Sequence, residues 1–118
     1  MPGKTHTDTL SASEARQRLA EQVSERTLQD TIVRLAKVFG FLAYHTYDSR
    51  RSAPGFPDLV LCHPERGETL FMELKTQKGK VRKEQRQWLD ALQAAGQRAY
   101  LIRPLDMDRV EAILRGEA

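Results

Sequence analysis

The sequence predicts an α/β domain, a small mixed sheet flanked by helices. Three observations predict it. Apolar residues recur at helical spacing in two long segments, short apolar runs rich in aromatic and branched residues separate and follow them, and a glycine closes each helical segment. The resulting order is helix, strand, strand, strand, helix, strand, helix.

Residues 1–10 contain Pro, Gly, Thr and Asp without an apolar period and read as a loose tail. Ser11 or Ser13 then caps a helical stretch carrying Ala15, Leu19 and Val23. Residues 1–23 are therefore set apart, as a tail or extra helix, from the main domain at 24–118. Ser24 is the N-cap of the first strong helix. Leu28, Ile32, Leu35 and Phe39 follow at helical spacing, Val33 and Ala36 widen the stripe, and Gly40 stops it. Segment 41–47 (FLAYHTY) reads as a strand, and 48–57, with Ser, Pro and Gly, as an irregular loop. Segments 58–62 (DLVLC) and 69–75 (TLFMELK) form a hairpin around a turn at 63–68. After a glycine-containing loop at 77–80, an amphipathic helix covers 82–95, with Trp88, Leu89 and Leu92 inward and Gly96 as its stop. A fourth strand at 99–102 (AYLI) and a short helix at 107–114 complete the chain.

With 118 residues, 40% hydrophobic and 30% charged, the chain can build one modest core and not two. No apolar run reaches bilayer-spanning length, and the first 24 residues lack the apolar stretch of a signal peptide, so no membrane partner is expected. The single cysteine, Cys62, excludes an internal disulfide and zinc-finger spacing and fits a cytoplasmic setting. Cys62 and His63 should face opposite sides of a strand, which argues against a soft-metal site. The net charge of +3 is a weak hint of polyanion binding, but its distribution says more. From Lys75 to Arg86 six basic residues stand against one acid, Glu84, and Arg50 with Arg51 forms a second basic pair.

The hairpin carries the chemistry. Asp58 opens one strand and Glu73 lies near the end of the other, so antiparallel pairing brings both carboxylates to one end of the sheet, at a sheet edge facing the first helix. Glu73 and Lys75, two residues apart on a strand, share a face, while Leu74 points to the core. Carboxylates this close repel unless a positive charge sits between them. A hard divalent ion, Mg²⁺ or Mn²⁺, answers that need because it prefers oxygen ligands. Such an ion polarises a phosphodiester and lowers the pKa of bound water, and the lysine can orient that water or stabilise charge on the phosphate.

Gly55-Phe56-Pro57-Asp58, a short connection, then Glu73-Leu74-Lys75 resembles the PD-(D/E)XK nuclease signature, and within that superfamily the stand-alone VRR-NUC domains of phages and bacteria. Glu25, Leu28-Gln29, Ile32 and Gly40 are similar to that family's first helix. Gly79-Lys80, Gln85 and Trp88-Leu89 are similar to its helix after the lysine. The resemblance covers about 24–104 and implies a restriction-endonuclease-like fold. It further implies Asp58 and Glu73 as metal ligands, the backbone carbonyl of Leu74 as a further ligand, Lys75 as catalytic, and Glu25 as an accessory acid on metal or water. Gln29 and Gln85 would border the site and help place substrate or water. Lys78, Lys80, Arg82, Lys83, Arg50 and Arg51, lying beside such a site, read as contacts to backbone phosphates. His45 reads instead as a packed or loop-facing residue, and Trp88 as core.

The expected activity is a metal-dependent endonuclease on DNA, selective for branched structures such as four-way junctions, in repair, recombination or phage replication. Symmetric junction cutting needs two active sites, so a homodimer is compatible with it. Three rivals remain: an inactive DNA-binding module of the same fold, a hydrolase directed at RNA or nucleotides, and a restriction-type enzyme, for which no recognition element is visible.

Overall fold

The structure, a computed structural model, describes residues 10–46 and 52–118. Helix α1 (Ala12–Ala20) begins at a capping box in which Ser11 and Glu14 satisfy each other's backbone N–H groups. It buries only Ala20, and Leu19, counted above as part of an apolar stripe, is 66% exposed. A break before Ser24 separates it from helix α2 (Glu25–Val38), where the Ser24 hydroxyl accepts from the Thr27 N–H at 3.0 Å. Leu28, Ile32 and Ala36 are the buried face of α2.

Strand β1 (Leu42–His45) is shorter than 41–47 because the Phe41 N–H is spent on the Ala36 carbonyl at the end of α2 and its ring turns into the core. Tyr47 lies outside the described residues. Strands β2 (Leu59–His63) and β3 (Glu68–Leu74) form the expected hairpin, with Asp58 one residue before β2 and Lys75 one residue past β3. Helix α3 (Lys83–Ala94) leads to β4 (Arg98–Ile102). A 3-10 turn (Pro104–Asp106) then opens into helix α4 (Met107–Arg115).

The sheet order is β1-β2-β3-β4, with β1/β2 and β2/β3 antiparallel and β3/β4 parallel. A parallel return needs a long crossover, and α3 supplies it. The alternation of the strands sorts their side chains onto two layers. Leu59, Leu61, Leu70, Met72, Leu74 and Ile102 form the core with Leu28, Ile32 and Ala36 of α2 and Val110, Ile113 and Leu114 of α4. On the opposite face Phe71 meets the ring of Phe56 edge-on at 6.2 Å, and Phe56 meets Trp88 of α3 at 5.0 Å. Trp88 is thus half-buried in a second, smaller aromatic cluster, while Leu89 is the fully buried residue of α3. Asp58 and Glu73 belong to this α3 face and to the two central strands, not to a sheet edge, because β4 pairs along the far side of β3. Among the described residues no helix is long and apolar enough to cross a membrane.

Candidate active site

The β2/β3 register pairs Leu59 with Met72, and its next step sets Asp58 opposite Glu73. Opposed residues of an antiparallel pair project to the same side, so the two carboxylates are forced together by the ladder itself. The Asp58 carbonyl accepts from the Thr46 N–H at 3.2 Å, extending the β1/β2 pairing to this end. Its side-chain Oδ2 accepts from the Leu74 N–H at 2.8 Å. Asp58 is therefore fixed by backbone on both sides.

Glu73 is only 2% exposed. Its Oε2 accepts from Gln85 Nε2 at 2.9 Å, while Oε1 is buried with no hydrogen-bond partner. Burial first, then the charge and proximity of the Asp58 carboxylate, push the Glu73 carboxyl up to about 8, with a smaller push from Glu25 and an opposing pull from Lys75. Gln85 is held in turn, its Oε1 accepting from the Arg82 N–H at 2.8 Å in the first turn of α3. Lys75 is buried beyond the end of β3, and its N–H continues the parallel ladder to the Ile102 carbonyl at 3.0 Å.

A cleft of about 360 Å³ opens at this end of the sheet, lined by Asp58 and Leu74 on one side and by Glu25, Arg26, Gln29 and Asp30 of α2 on the other, with His45 and Thr46 between. Among the described residues no group of three His, Cys, Asp or Glu side chains is placed to hold a metal ion. The compact donor set is the pair Asp58 and Glu73, and Glu25 stands across the cleft from it. The orphaned Glu73 Oε1 and the oxygen-only chemistry of this pair fit a hard divalent cation.

The VRR-NUC domain family matches residues 5–104 of this chain. The chain belongs to that family. No curated protein and no solved structure matches it. As a VRR-NUC domain it has a restriction-endonuclease-like fold and a nuclease-type function, and the matched segment includes α1.

Several features of this VRR-NUC domain follow from its local sequence. Gly55 has φ +91°, and a Cβ there would meet the Glu84 backbone at 2.4 Å, so the segment entering Asp58 lies directly on the start of α3. Gln29 faces the cleft, and Gln85 instead binds Glu73 from α3. Of the basic residues, Lys80, Arg82 and Lys83 are exposed, and Lys78 is exposed but lies 3.5 Å from Glu21 at the end of α1. Arg50 and Arg51 lie outside the described residues.

Arg26, Asp30 and Thr46 on the cleft were not among the residues singled out from the sequence, and His45, read as a packed or loop-facing residue, also lines it. A helical-wheel view places Arg26 and Asp30 one turn apart, beside Gln29, and was the available signal. Arg103 was not singled out either, and its Nη1 donates to the carbonyls of Thr76 (2.8 Å), Gln77 (3.2 Å) and Gly79 (2.8 Å).

Proposed function

We propose that this chain is an Mg²⁺- or Mn²⁺-dependent endonuclease that hydrolyses DNA phosphodiester bonds, with selectivity for branched structures such as four-way junctions. The observation that carries the reading is the buried Glu73 Oε1, left without a partner opposite the Asp58 carboxylate. Such a pair must take up a proton or a cation, and oxygen atoms buried side by side at the mouth of a cleft suit a cation. Asp58 and Glu73 would hold the ion, with the Leu74 carbonyl as a further oxygen donor. When bound, the ion supplies charge neutralisation and polarisation of the scissile phosphate.

The remaining roles belong to the chain's own groups. Lys75, as an ammonium beside Glu73, orients the attacking water through its N–H groups and stabilises charge on a phosphate oxygen. Gln85 holds Glu73 Oε2, which leaves Oε1 for the site. Glu25 and Gln29 contact water or substrate from the far wall of the cleft. Lys78, Lys80, Arg82 and Lys83, with Arg50 and Arg51, bind backbone phosphates on either side. A domain this small has little surface for reading base sequence, which favours recognition of DNA shape. A homodimer would supply the two sites that symmetric junction cutting requires.

The test is incubation of labelled duplex, flap and four-way junction DNA, and of RNA, with Mg²⁺, Mn²⁺ or EDTA. Asp58→Ala, Glu73→Ala and Lys75→Ala are run in parallel. Cutting is expected only with divalent ions, on junctions before duplex, and to fall by about 10²- to 10⁴-fold in each variant. Cutting that persists in EDTA, or that survives all three substitutions, overturns the mechanism. Equal cutting of RNA overturns the substrate assignment.

A further inference from the structure

The turn after Lys75 is built on another part of the chain. Residues 76–79 expose three carbonyls to one guanidinium nitrogen, Arg103 Nη1. That nitrogen has two hydrogens, so the short bonds to Thr76 and Gly79 take one each, and the longer contact to Gln77 is shared. The neighbours of Arg103 add to the joint. Ile102 accepts from the Lys75 N–H at 3.0 Å, and the Leu105 N–H donates to Gln77 Oε1 at 3.1 Å. Arg103 itself is oriented by its own N–H, which donates to Asp106 Oδ2 at 2.7 Å.

This turn borders the Lys75 side chain. A Cβ added at Gly79 would lie 3.6 Å from Lys75 Cδ and 2.8 Å from Thr76 Oγ1, so the absence of a side chain at Gly79 leaves room for the lysine stem and the threonine hydroxyl. Among the described residues no carboxylate forms an ion pair with the Arg103 guanidinium, so its charge is met by carbonyl dipoles. Carbonyls bound to a guanidinium in this way are held more rigidly than carbonyls bound to water.

We propose that Arg103 is a positioning residue for phosphodiester hydrolysis. It fixes the 76–79 turn so that the Lys75 ammonium is aimed at the reacting phosphate. The proposal rests on the reading above, in which Lys75 acts in hydrolysis. Misplacement of a reacting group by about 1 Å costs on the order of 100-fold in rate. Loss of the clamp therefore affects turnover more than binding.

The experiment compares wild type, Arg103→Met, Arg103→Lys, Gly79→Ala and Lys75→Ala. It measures single-turnover cutting at saturating and limiting DNA, and DNA-binding stoichiometry in EDTA. Arg103→Met is expected to lower the saturated rate by about 10- to 100-fold with stoichiometry and KM little changed, and Arg103→Lys to recover part of that loss. Gly79→Ala keeps the Arg103 side chain but crowds Thr76 Oγ1 and the Lys75 stem beside the carbonyl that Arg103 holds, and is expected to lower the saturated rate in the same way. A fall in binding stoichiometry that matches the fall in rate marks a structural role only and overturns the proposal. If Arg103→Met does not fold, Gly79→Ala decides, and a wild-type rate there overturns it. Full activity in Arg103→Met beside a dead Lys75→Ala defeats this inference alone, whereas full activity in Lys75→Ala defeats the underlying reading.

Discussion

Strand β3 carries a glutamate at each end, and the two are treated in opposite ways. Glu68, at the turn end, has its Oε1 3.3 Å from both Arg66 Nη2 and Arg98 Nη1. Arg66 also donates to the Leu114 carbonyl at 3.0 Å and lies 4.9 Å over the Phe41 ring, so this end ties the hairpin to the last helix. His63 joins it by accepting the Arg66 N–H at 3.2 Å. Five residues along, Glu73 faces Asp58 instead of an arginine and keeps one oxygen unpartnered. One end of the strand is arranged for cohesion. The other stores repulsion that only a cation or a proton relieves.

The largest effect that sharpens this contrast is on stability at high pH. The folded protein holds the Glu73 carboxyl at about 8 against an ordinary 4.5, so the folded state binds this proton more tightly than the unfolded state does. That contribution to stability is complete below about pH 4.5 and is lost as pH rises through about 8. Without divalent ions, wild-type Tm is therefore expected to fall across this window, while Glu73→Gln, which cannot ionise, stays flat. At pH 9 the variant should be more stable by on the order of a few kcal/mol, or roughly 10 °C in Tm. Parallel thermal melts of the two proteins check it, and identical pH dependence breaks the contrast.

A smaller, opposite effect is expected at the turn end. Glu68→Gln removes a partly exposed charge from two arginines and should cost about 1 kcal/mol with no change in DNA cutting. A stabilised Glu68→Gln would mean that the two ends do not differ in kind. The smallest effect belongs to Lys78, which is exposed and shared with Glu21. Lys78→Gln should weaken DNA binding slightly and reduce the slope of log affinity against log salt by up to about one unit, measurable by titration at several salt concentrations.

Much of the site was legible because its signals are local. Ser24 announces α2, Gly55-Phe56-Pro57-Asp58 enters β2, and the two-residue spacing of Glu73 and Lys75 fixes their common face whatever the rest of the fold does. The hairpin itself brings Asp58 to Glu73 once its turn is recognised. What the sequence hid depends on contacts between distant segments. No periodicity links Arg103 to carbonyls 24 to 27 residues earlier. The start of β1 is hidden for a related reason: Phe41 looks like a strand residue until the carbonyl of Ala36 takes its N–H. Leu19 fitted a helical stripe, but α1 has little surface to pack on, so an apolar residue stays in water.

The parallel pairing of β3 with β4 also dictates when the site can exist. Lys75 is backed by Ile102 and its following turn by Arg103, both of which leave the ribosome well after the two acids do. A nascent chain that stops short of β4 already contains Asp58, Glu73 and Lys75 but exposes β3 as an open edge. Such non-local closure is the slow part of folding. Docking of the last strand therefore completes the backing of Lys75 and its turn, and a chain without β4 carries Asp58, Glu73 and Lys75 on an open-edged hairpin.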